Sequence, residues 1–198
     1  MKLTPQQKLD GLYKRLRVSD AGRLYSSLPI VVGEGDPEAD LVLVGEAPGE
    51  NENIRKRVFV GPSGDLLNLI LRRLGVPRKS VYITNLVKKR PPHNRDPEDD
   101  EIELSLPFLL EEISIVRPKV VLALGAISGN ALAFPTSGRV GALRATKTLR
   151  VRSETYGFDL PLVVTFHPAY ILRTLGEDHH NLREMASDMK RALEISRE

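Results

Sequence analysis

The stretch LVLVGEAPGENENIRKRVFVGPSGDLLNLILRR, residues 41–73, joins a strand-like run to a helix-like run. Residues 41–44 are continuously apolar, as in a buried strand, and residues 65–74 have apolar positions at helical spacing. The loop between them carries two acidic residues, Glu46 and Glu52. It matches neither the GxxxxGK[ST] nor the GxGxxG pattern, so the loop is not predicted to bind nucleotide phosphates.

Three further apolar runs are typical of buried strands, and each is followed by a turn and a helix-like segment: residues 81–84, 120–124 and 162–165. Other helices are predicted over residues 2–17, 97–116 and 179–197, with a short one after residues 125–128. This alternation predicts an α/β fold, a three-layer α/β/α arrangement with a central, mainly parallel four-stranded sheet. Residues 18–34 and 135–154 have little periodicity, and no element is predicted there.

Length and composition restrict the class of protein. A chain of 198 residues suits one domain over residues 1–198, with a helix and an irregular segment, residues 1–30, packed on it. The sequence has no cysteine and no apolar run long enough for a membrane span, and its N-terminus lacks the apolar core of a signal peptide. We therefore expect a cytoplasmic protein without membrane contact. The net charge of +3 permits a polyanionic partner without requiring one.

The candidate site lies where the predicted strands end. In open α/β sheets, ligands bind outside the carboxyl ends of the strands. Glu46, Asn85 and His167 follow or end three of these strands, and Phe59 lies in the first loop. An asparagine amide can bind the edge of a flat heterocycle, an aromatic ring can stack on its face, and a histidine can donate to an oxygen that becomes negative. One histidine with separated carboxylates is a poor divalent-metal site, so no metal is predicted.

Five sequence blocks carry a resemblance to a known family. They are VVGEGDPEADLVLVGEAPGENEN, RVFVGPSGDLLNLIL, VYITNLVKKRPPHNRDP, VRPKVVLALG and TFHPAYILR, which begin at residues 31, 57, 81, 116 and 165. In this order and spacing they resemble the uracil-DNA glycosylases of the thermophile-type group called family four. The resemblance implies an enzyme that flips uracil out of DNA and hydrolyses its N-glycosidic bond, with uracil-containing DNA as its partner.

The resemblance also implies roles for individual residues. Glu46, Glu52 and His167 are the predicted catalytic residues; Glu52 lies near the uracil ring to exclude a 5-methyl group or to place water, and His167 donates to the departing uracil. The predicted uracil-binding residues are Ala47 in the first loop, Phe59 as the stacking ring and Asn85 as the base-reading amide. The predicted DNA contacts are Ser63, Arg90, Asn94, Ser128, Ala169, Tyr170 and Arg173.

The chain departs from this family at the four cysteines that bind an iron–sulfur cluster. Their positions correspond to Val18, Ala21, Lys89 and Ser105, none of which can bind iron. We therefore predict no cofactor and no metal cluster. The family's cluster joins the N-terminal segment to the loop that follows Lys88. Here we expect that link to be replaced by packing of Leu24, Leu28 and Leu104 or by ion pairs of Lys89.

Several alternatives remain open from the sequence. Glu46 and Glu52 can each organise the first loop through backbone amides rather than act in chemistry. Ser63, the expected N-cap of the helix over residues 65–74, and Ser128 can cap helices rather than bind phosphate. The basic residues between 139 and 152 either contact DNA or form a solvated loop. The chain as a whole can also be a non-catalytic DNA-binding paralogue, or an enzyme that acts on free nucleosides.

Overall fold

Within the part of the chain that the structure describes, the four predicted strands lie side by side at the centre of a six-stranded sheet. The structure is a computed structural model that describes residues 2–25, 27–133, 136–174 and 180–198. Its strands are β1 (Glu34–Gly35), β2 (Leu41–Gly45), β3 (Tyr82–Asn85), β4 (Val120–Leu124), β5 (Arg150–Ser153) and β6 (Phe158–Thr165). Their order across the sheet is β1-β3-β2-β4-β6-β5.

The central strands β3, β2, β4 and β6 are parallel, so their carboxyl ends meet at one edge of the sheet. Gly45 at the end of β2 pairs with Asn85 at the end of β3, and Leu124 pairs with Thr165. This register places the loops after the strands next to each other. The candidate site can therefore be assembled from residues far apart in the chain.

The prediction of four strands was two short. β1 and β5 are antiparallel edge strands, and both lie in or next to the segments without periodicity. β1 has only two residues, and β5 alternates exposed arginines with buried Val151 and Ser153. Such short or basic strands are tolerated at a sheet edge, where charged side chains also hinder pairing with other chains.

Helices cover both faces of the sheet. They are α1 (Pro5–Val18), α2 (Asp20–Arg23), α3 (Glu50–Arg55), α4 (Pro62–Arg73), α5 (Asp99–Val116), α6 (Ala126–Ala133), α7 (Val140–Ala145), α8 (Pro168–Thr174) and α9 (His180–Arg197). The predicted α/β class is confirmed. Of the predicted last helix, His179 lies outside the described residues.

Alternate residues of the strands enter two separate cores because side chains of a strand point to opposite faces. Val42 and Val44 of β2 pack with residues of α1 and α5. Leu41 and Leu43 of the same strand pack with residues of α4 and α9. Both faces are apolar, which explains why the central strands are continuous apolar runs in the sequence. Among the described residues, no helix is both long and apolar enough to cross a membrane.

The start of α4 differs from the prediction. Its N-cap is Gly61, which has no side chain to bind the first turn, and Ser63 lies inside the helix. The predicted capping role of Ser63 is therefore wrong. The carboxylate of Glu52 instead accepts the backbone N–H groups of Val60 and Gly61, both at 2.8 Å. A loop carboxylate thus fixes the chain as it enters α4.

Candidate active site

The loops after the parallel strands surround a cavity of about 340 Å³. This volume lies within the usual range of small-molecule sites. All six predicted catalytic and uracil-binding residues line it: Glu46, Ala47, Glu52, Phe59, Asn85 and His167. Among the described residues, no group of three or more His, Cys, Asp or Glu side chains could hold a metal ion. The functional groups that face the cavity are an amide, an imidazole, an aromatic ring and carboxylates.

Asn85 is fixed in the cavity wall with its amide group available. Its residue is 1% exposed, and Oδ1 has no hydrogen-bond partner among the described residues. Leaving a buried acceptor unpaired costs about 1–3 kcal/mol, so a ligand that donates to this oxygen recovers that energy. The neighbouring Gly45 is required here, because a Cβ atom at that position would lie 2.3 Å from Oδ1.

The backbone of Asn85 is held by a buried lysine. Lys88 Nζ donates to the carbonyl oxygen of Asn85 at 2.6 Å, to Thr84 Oγ1 at 2.5 Å and to Glu112 Oε2 at 2.5 Å. These three acceptors match the three N–H donors of an ammonium group. Burial lowers the pKa of Lys88, and the adjacent Glu112 opposes that change. The pair fixes the end of β3 from below the cavity.

Phe59 and His167 form adjoining walls. Their ring centres are 6.0 Å apart, with the planes inclined by 36°. Gly64, in the first turn of α4, lies against the backbone of Phe59. A Cβ atom at Gly64 would lie 1.9 Å from the carbonyl oxygen of Phe59. The first turn of α4 therefore packs directly on the backbone that carries the aromatic ring.

His167 is neutral near pH 7 and is held in one tautomer. The backbone N–H of Ala169 donates to His167 Nδ1 at 3.2 Å, so Nδ1 is an acceptor and Nε2 carries the proton. Burial lowers the pKa of His167 to about 4; the positive charge of Arg173 acts in the same direction, and Glu52 and Asp96 oppose it. The residue therefore offers a neutral N–H donor to the cavity.

Glu46 has the opposite shift. Burial raises the pKa of its carboxyl group to about 7, with a further contribution from the negative charge of Asp96 and an opposing one from Arg173. Near neutral pH this group is divided between its acid and carboxylate forms. Such a pKa suits a group that exchanges a proton during a reaction.

The raised pKa of Glu46 predicts a pH-dependent stability. Its contribution to the free energy of unfolding is fully present below pH 4.5, the ordinary pKa, and is lost as the pH rises to about 7. Glu46→Gln should therefore gain stability relative to the wild type across this window, by at most about 3 kcal/mol. Urea unfolding at pH 4.5 and pH 8 measures the difference. His167 titrates in an overlapping window, but it is common to both proteins and cancels.

Glu50→Gln is the control for this comparison, because Glu50 is an exposed carboxylate of the same loop region. The difference in the free energy of unfolding between Glu50→Gln and the wild type should be the same at pH 4.5 and pH 8. An equal stability difference for Glu46→Gln at pH 4.5 and pH 8 would show that the carboxyl group titrates normally.

Glu52 makes contacts that favour its organising role. Its Oε2 accepts the backbone N–H of Gly49 at 3.2 Å, and Oε1 accepts those of Val60 and Gly61. The carboxylate thus caps α3 and joins it to the start of α4. With three backbone donors on its oxygens, Glu52 is better suited to shaping the cavity than to activating water.

Six of the seven predicted DNA contacts divide into three groups. Ser63, Asn94, Ala169 and Arg173 line the cavity. Arg90 lies behind Asn94 and donates to its Oδ1 at 2.6 Å. Tyr170 is 42% exposed, and its ring stacks on Phe166 with the centres 5.7 Å apart. These residues remain candidates for DNA contact.

Ser128 is a correction. It is fully buried in α6, and its Oγ donates to the carbonyl oxygen of Leu124 at 3.2 Å. A buried hydroxyl bonded to Leu124 is not available to a DNA phosphate, so a contact through the Ser128 side chain is excluded. A contact through the backbone N–H of Ser128, at the start of the helix, stays a prediction.

The basic segment over residues 139–152 is largely paired within the protein. Arg144 binds both Glu184 and Asp188 of α9, and its guanidinium lies 4.6 Å from the centre of the Phe166 ring. Arg150 and Arg152 both pair with Asp159 across β5 and β6. These contacts favour a structural role for the three arginines over direct contact with DNA.

Sequence reasoning gave no role to one charged residue of the cavity, Asp96. It lies in the proline-rich loop after β3, where Asn94 was predicted as a DNA contact. Asp96 acts electrostatically on Glu46 and His167. The signal for Asp96 in the sequence was an acidic residue between Arg95 and Pro97, in the loop where Arg90 and Asn94 were predicted to contact DNA.

The residues at the four cysteine positions of family four do not fit an iron–sulfur cluster. Val18 is 69% exposed, while Ala21, Lys89 and Ser105 are buried, and none has a thiolate. Of the proposed replacements, Leu24 packs against the core as expected, whereas Leu104 is 37% exposed, so its expected packing role is wrong. Lys89 Nζ donates to a backbone carbonyl, that of Tyr25 at 3.5 Å. This contact replaces the expected ion pair.

An ionic and aromatic cluster lies in this region instead. Arg95 donates to both carboxylate oxygens of Glu101, at 2.7 and 2.9 Å, and its guanidinium lies 5.8 Å from the centre of the Tyr25 ring. The Tyr25 hydroxyl also donates to Glu101. Hydrogen bonding from Arg95 lowers the pKa of Glu101 to about 2. The cluster links the N-terminal segment, α5 and the loop that lines the cavity.

Comparisons with known proteins show the family to which the chain belongs. A family model described as the uracil DNA glycosylase superfamily matches residues 32–190. The chain is 43% identical over 143 residues to a type-4 uracil-DNA glycosylase of Pyrobaculum aerophilum, covering 72% of this chain and 73% of the relative. It is 38% identical over 164 residues to the type-4 protein of Saccharolobus solfataricus, covering 79% and 76%. For that of Thermotoga maritima the identity is 43% over 144 residues, covering 73% and 72%.

Proposed function

The chain belongs to the uracil DNA glycosylase superfamily, and on this premise we propose that it is a uracil-DNA glycosylase that hydrolyses the N-glycosidic bond of uracil in DNA. One observation carries the proposal. Asn85, Phe59 and His167 come from three distant segments and line one cavity. Together they provide an edge-reading amide, a stacking ring and a neutral N–H donor, which are the groups needed to hold a pyrimidine and stabilise its anion.

The cavity requires the base to leave the helix. Its reading group, Asn85, is buried in the protein, and a base that is paired and stacked in a duplex cannot enter such a site. The uracil nucleotide is therefore flipped out, with its ring on Phe59 and its edge on Asn85. The DNA backbone lies along the rim, near Ser63, Asn94 and Arg173.

The bond breaks by a dissociative step. The electron pair of the bond between C1′ and N1 leaves with uracil, and the Nε2–H group of His167 donates a hydrogen bond to the oxygen that becomes negative. Positive charge grows on the sugar, where the DNA phosphates and the Glu46 carboxylate stabilise it. Water then adds to C1′, and its proton passes to Glu46, whose pKa near 7 suits this exchange.

The uracil anion then takes up a proton and Glu46 gives one up, directly or through solvent, so the expected products are free uracil and an abasic site. Uracil in DNA arises when cytosine loses its amino group, so this reaction begins the excision repair of deaminated cytosine. No step in this scheme needs a metal or an organic cofactor, and cleavage should persist in the presence of a chelator.

An oligonucleotide assay tests the function. The intact protein is incubated with duplexes that contain uracil, a thymine–guanine mismatch or hypoxanthine, and with free deoxyuridine, and alkali then cuts any abasic strand. The proposal predicts cutting of the uracil strand and no turnover of deoxyuridine. Salt-dependent binding without cutting would identify a non-catalytic paralogue. Turnover of free deoxyuridine would identify a nucleoside enzyme.

A further inference from the structure

Arg78 binds the backbone of the segment that carries Phe59. It lies in a 3-10 turn, Arg78–Ser80, just before β3. Its Nη2 donates to the carbonyl oxygen of Val58 at 2.7 Å, and its Nη1 donates to that of Phe59 at 3.2 Å and to Asn68 Oδ1 at 2.9 Å. Nε and Nη2 donate to Glu34 Oε1 at 3.3 and 2.7 Å. All five N–H donors of the guanidinium are therefore used.

Glu34 is in turn held from its other side. Arg57 donates to its two carboxylate oxygens, from Nε at 3.0 Å and from Nη2 at 3.1 Å. Burial alone would raise the pKa of Glu34, but the hydrogen bonds from Arg57 and Arg78 lower it. A charged carboxylate at the start of β1 thus anchors Arg78 against the edge of the sheet.

The backbone at Phe59 needs such an anchor. Its φ angle is 48°, in the left-handed region that is disfavoured for a residue with a bulky side chain. Conformations of this kind persist where surrounding contacts fix them, and they often lie at functional sites. The ring itself is packed against Gly45, where an added Cβ would lie 2.7 Å from two of its carbon atoms.

We propose that Arg78 is a positioning residue for Phe59, which it holds at the distance from His167 that lets a flipped uracil stack on the ring. This inference rests on the proposed function, but Arg78 itself does not line the cavity. Its planar fork binds two carbonyls, an amide and a carboxylate together. Lysine, a point charge with three donors, cannot reproduce that arrangement.

The position of the Phe59 ring can be measured without any reaction. The ring shifts the NMR resonances of the His167 imidazole protons, because the two ring centres are 6.0 Å apart. Those resonances are identified by their absence in His167→Ala. In Arg78→Met they should move toward their position in Phe59→Ala. In Arg73→Met, the same change at an exposed arginine of α4, they should stay at the wild-type position.

Kinetics test the consequence for uracil. Arg78→Met should reduce the single-turnover rate on a uracil duplex by roughly 10- to 100-fold, the loss expected from a displaced binding group. Free uracil should inhibit the variant more weakly than the wild type. In the Phe59→Ala background, adding Arg78→Met should change the rate by less than about 2-fold, because the ring that Arg78 positions is already absent.

The outcomes separate this inference from the proposed function. Wild-type protein that leaves uracil DNA intact would contradict the function, while the NMR comparison would still test the position of Phe59. Wild-type His167 resonances and rate in Arg78→Met, with only a lower melting temperature, would overturn the positioning role. If Arg78→Met does not fold, Arg78→Lys, which keeps the charge and most of the side chain, is measured in the same way. In Arg78→Lys the His167 resonances should move in the same direction by less, and the single-turnover rate should fall by less. Wild-type resonances and a wild-type rate in Arg78→Lys would also overturn the proposal.

Discussion

Replacing His167 by alanine should slow the single-turnover cleavage of a uracil duplex by about 100- to 1000-fold. The expected loss is large because the residue supplies a fixed N–H donor to the oxygen that gains charge as the bond breaks. The donor is set in advance, since the N–H of Ala169 holds Nδ1 as the acceptor and leaves the proton on Nε2. Quenched-flow kinetics with enzyme in excess over substrate measure the step directly.

The control for this prediction is His93→Ala. His93 is an exposed histidine of the loop after β3 and does not line the cavity. Its replacement should leave the rate within about 2-fold of the wild type, as expected for an exposed side chain outside the site. The neutral N–H group of His167 bonds more strongly to the uracil anion that forms in the reaction than to neutral uracil. Removing His167 should therefore weaken uracil binding less than it slows cleavage. An unchanged rate for His167→Ala in a folded protein would remove the residue from the mechanism.

Asn85→Ala should reduce cleavage of uracil DNA by roughly 100-fold or more. Uracil presents an N–H donor beside a carbonyl acceptor, and the amide of Asn85 provides one group for each. Two hydrogen bonds of about 1.5 kcal/mol each account for a loss of this size. The effect should appear in uracil inhibition as well as in the rate, because the amide binds the base both before and after the bond breaks.

Asn85→Asp distinguishes base reading from support of the fold. A carboxylate cannot donate to the uracil carbonyl and should repel it, yet it has nearly the same volume as the amide. Its uracil activity should therefore fall at least as far as that of Asn85→Ala. Asn85→Ala should keep most of the wild-type stability, since no hydrogen bond of Oδ1 is lost within the described residues. Asn85→Asp should be less stable, because it places a carboxylate at a position that is 1% exposed. Wild-type uracil activity in either variant would exclude Asn85 as the reading group.

The central fold could be predicted because the four parallel strands are buried on both faces. Residues 41–44 and 120–124 are apolar throughout for that reason, and such runs are visible without any structure. The edge strands gave no such signal. Arg150–Ser153 alternates basic and small or apolar residues, a pattern that fits a solvated basic loop equally well.

The sequence predicted which kinds of residue lie at the strand ends and form the site. Their individual roles could not be predicted, because they depend on contacts between residues that are distant in sequence. Glu52 and Glu46 are both loop acids in the sequence. Only the structure shows that Glu52 accepts three backbone N–H groups while burial raises the pKa of Glu46. The link from Arg78 to Glu34 spans 44 residues and joins a turn to an edge strand that was not predicted.

The region that corresponds to the iron–sulfur cluster shows a similar limit. The sequence contains no cysteine, so none of its side chains can supply a thiolate ligand. It does not show that Tyr25, Arg95 and Glu101 meet, because they belong to three separate segments. Leucine packing was the natural expectation, and Leu24 does pack against the core. The contacts that join the three segments to each other are ionic and aromatic.

The most direct test of the account is a crystal structure of the His167→Ala variant bound to a duplex that contains one uracil. We predict that the uracil lies in the cavity, with its ring on Phe59 and its edge bonded to Asn85, and that Arg78 keeps its bonds to Val58 and Phe59. A uracil that remains stacked in the helix, or one that binds away from Asn85, would contradict the central claim. That claim is that the segments carrying Phe59, Asn85 and His167 together bind one flipped-out uracil.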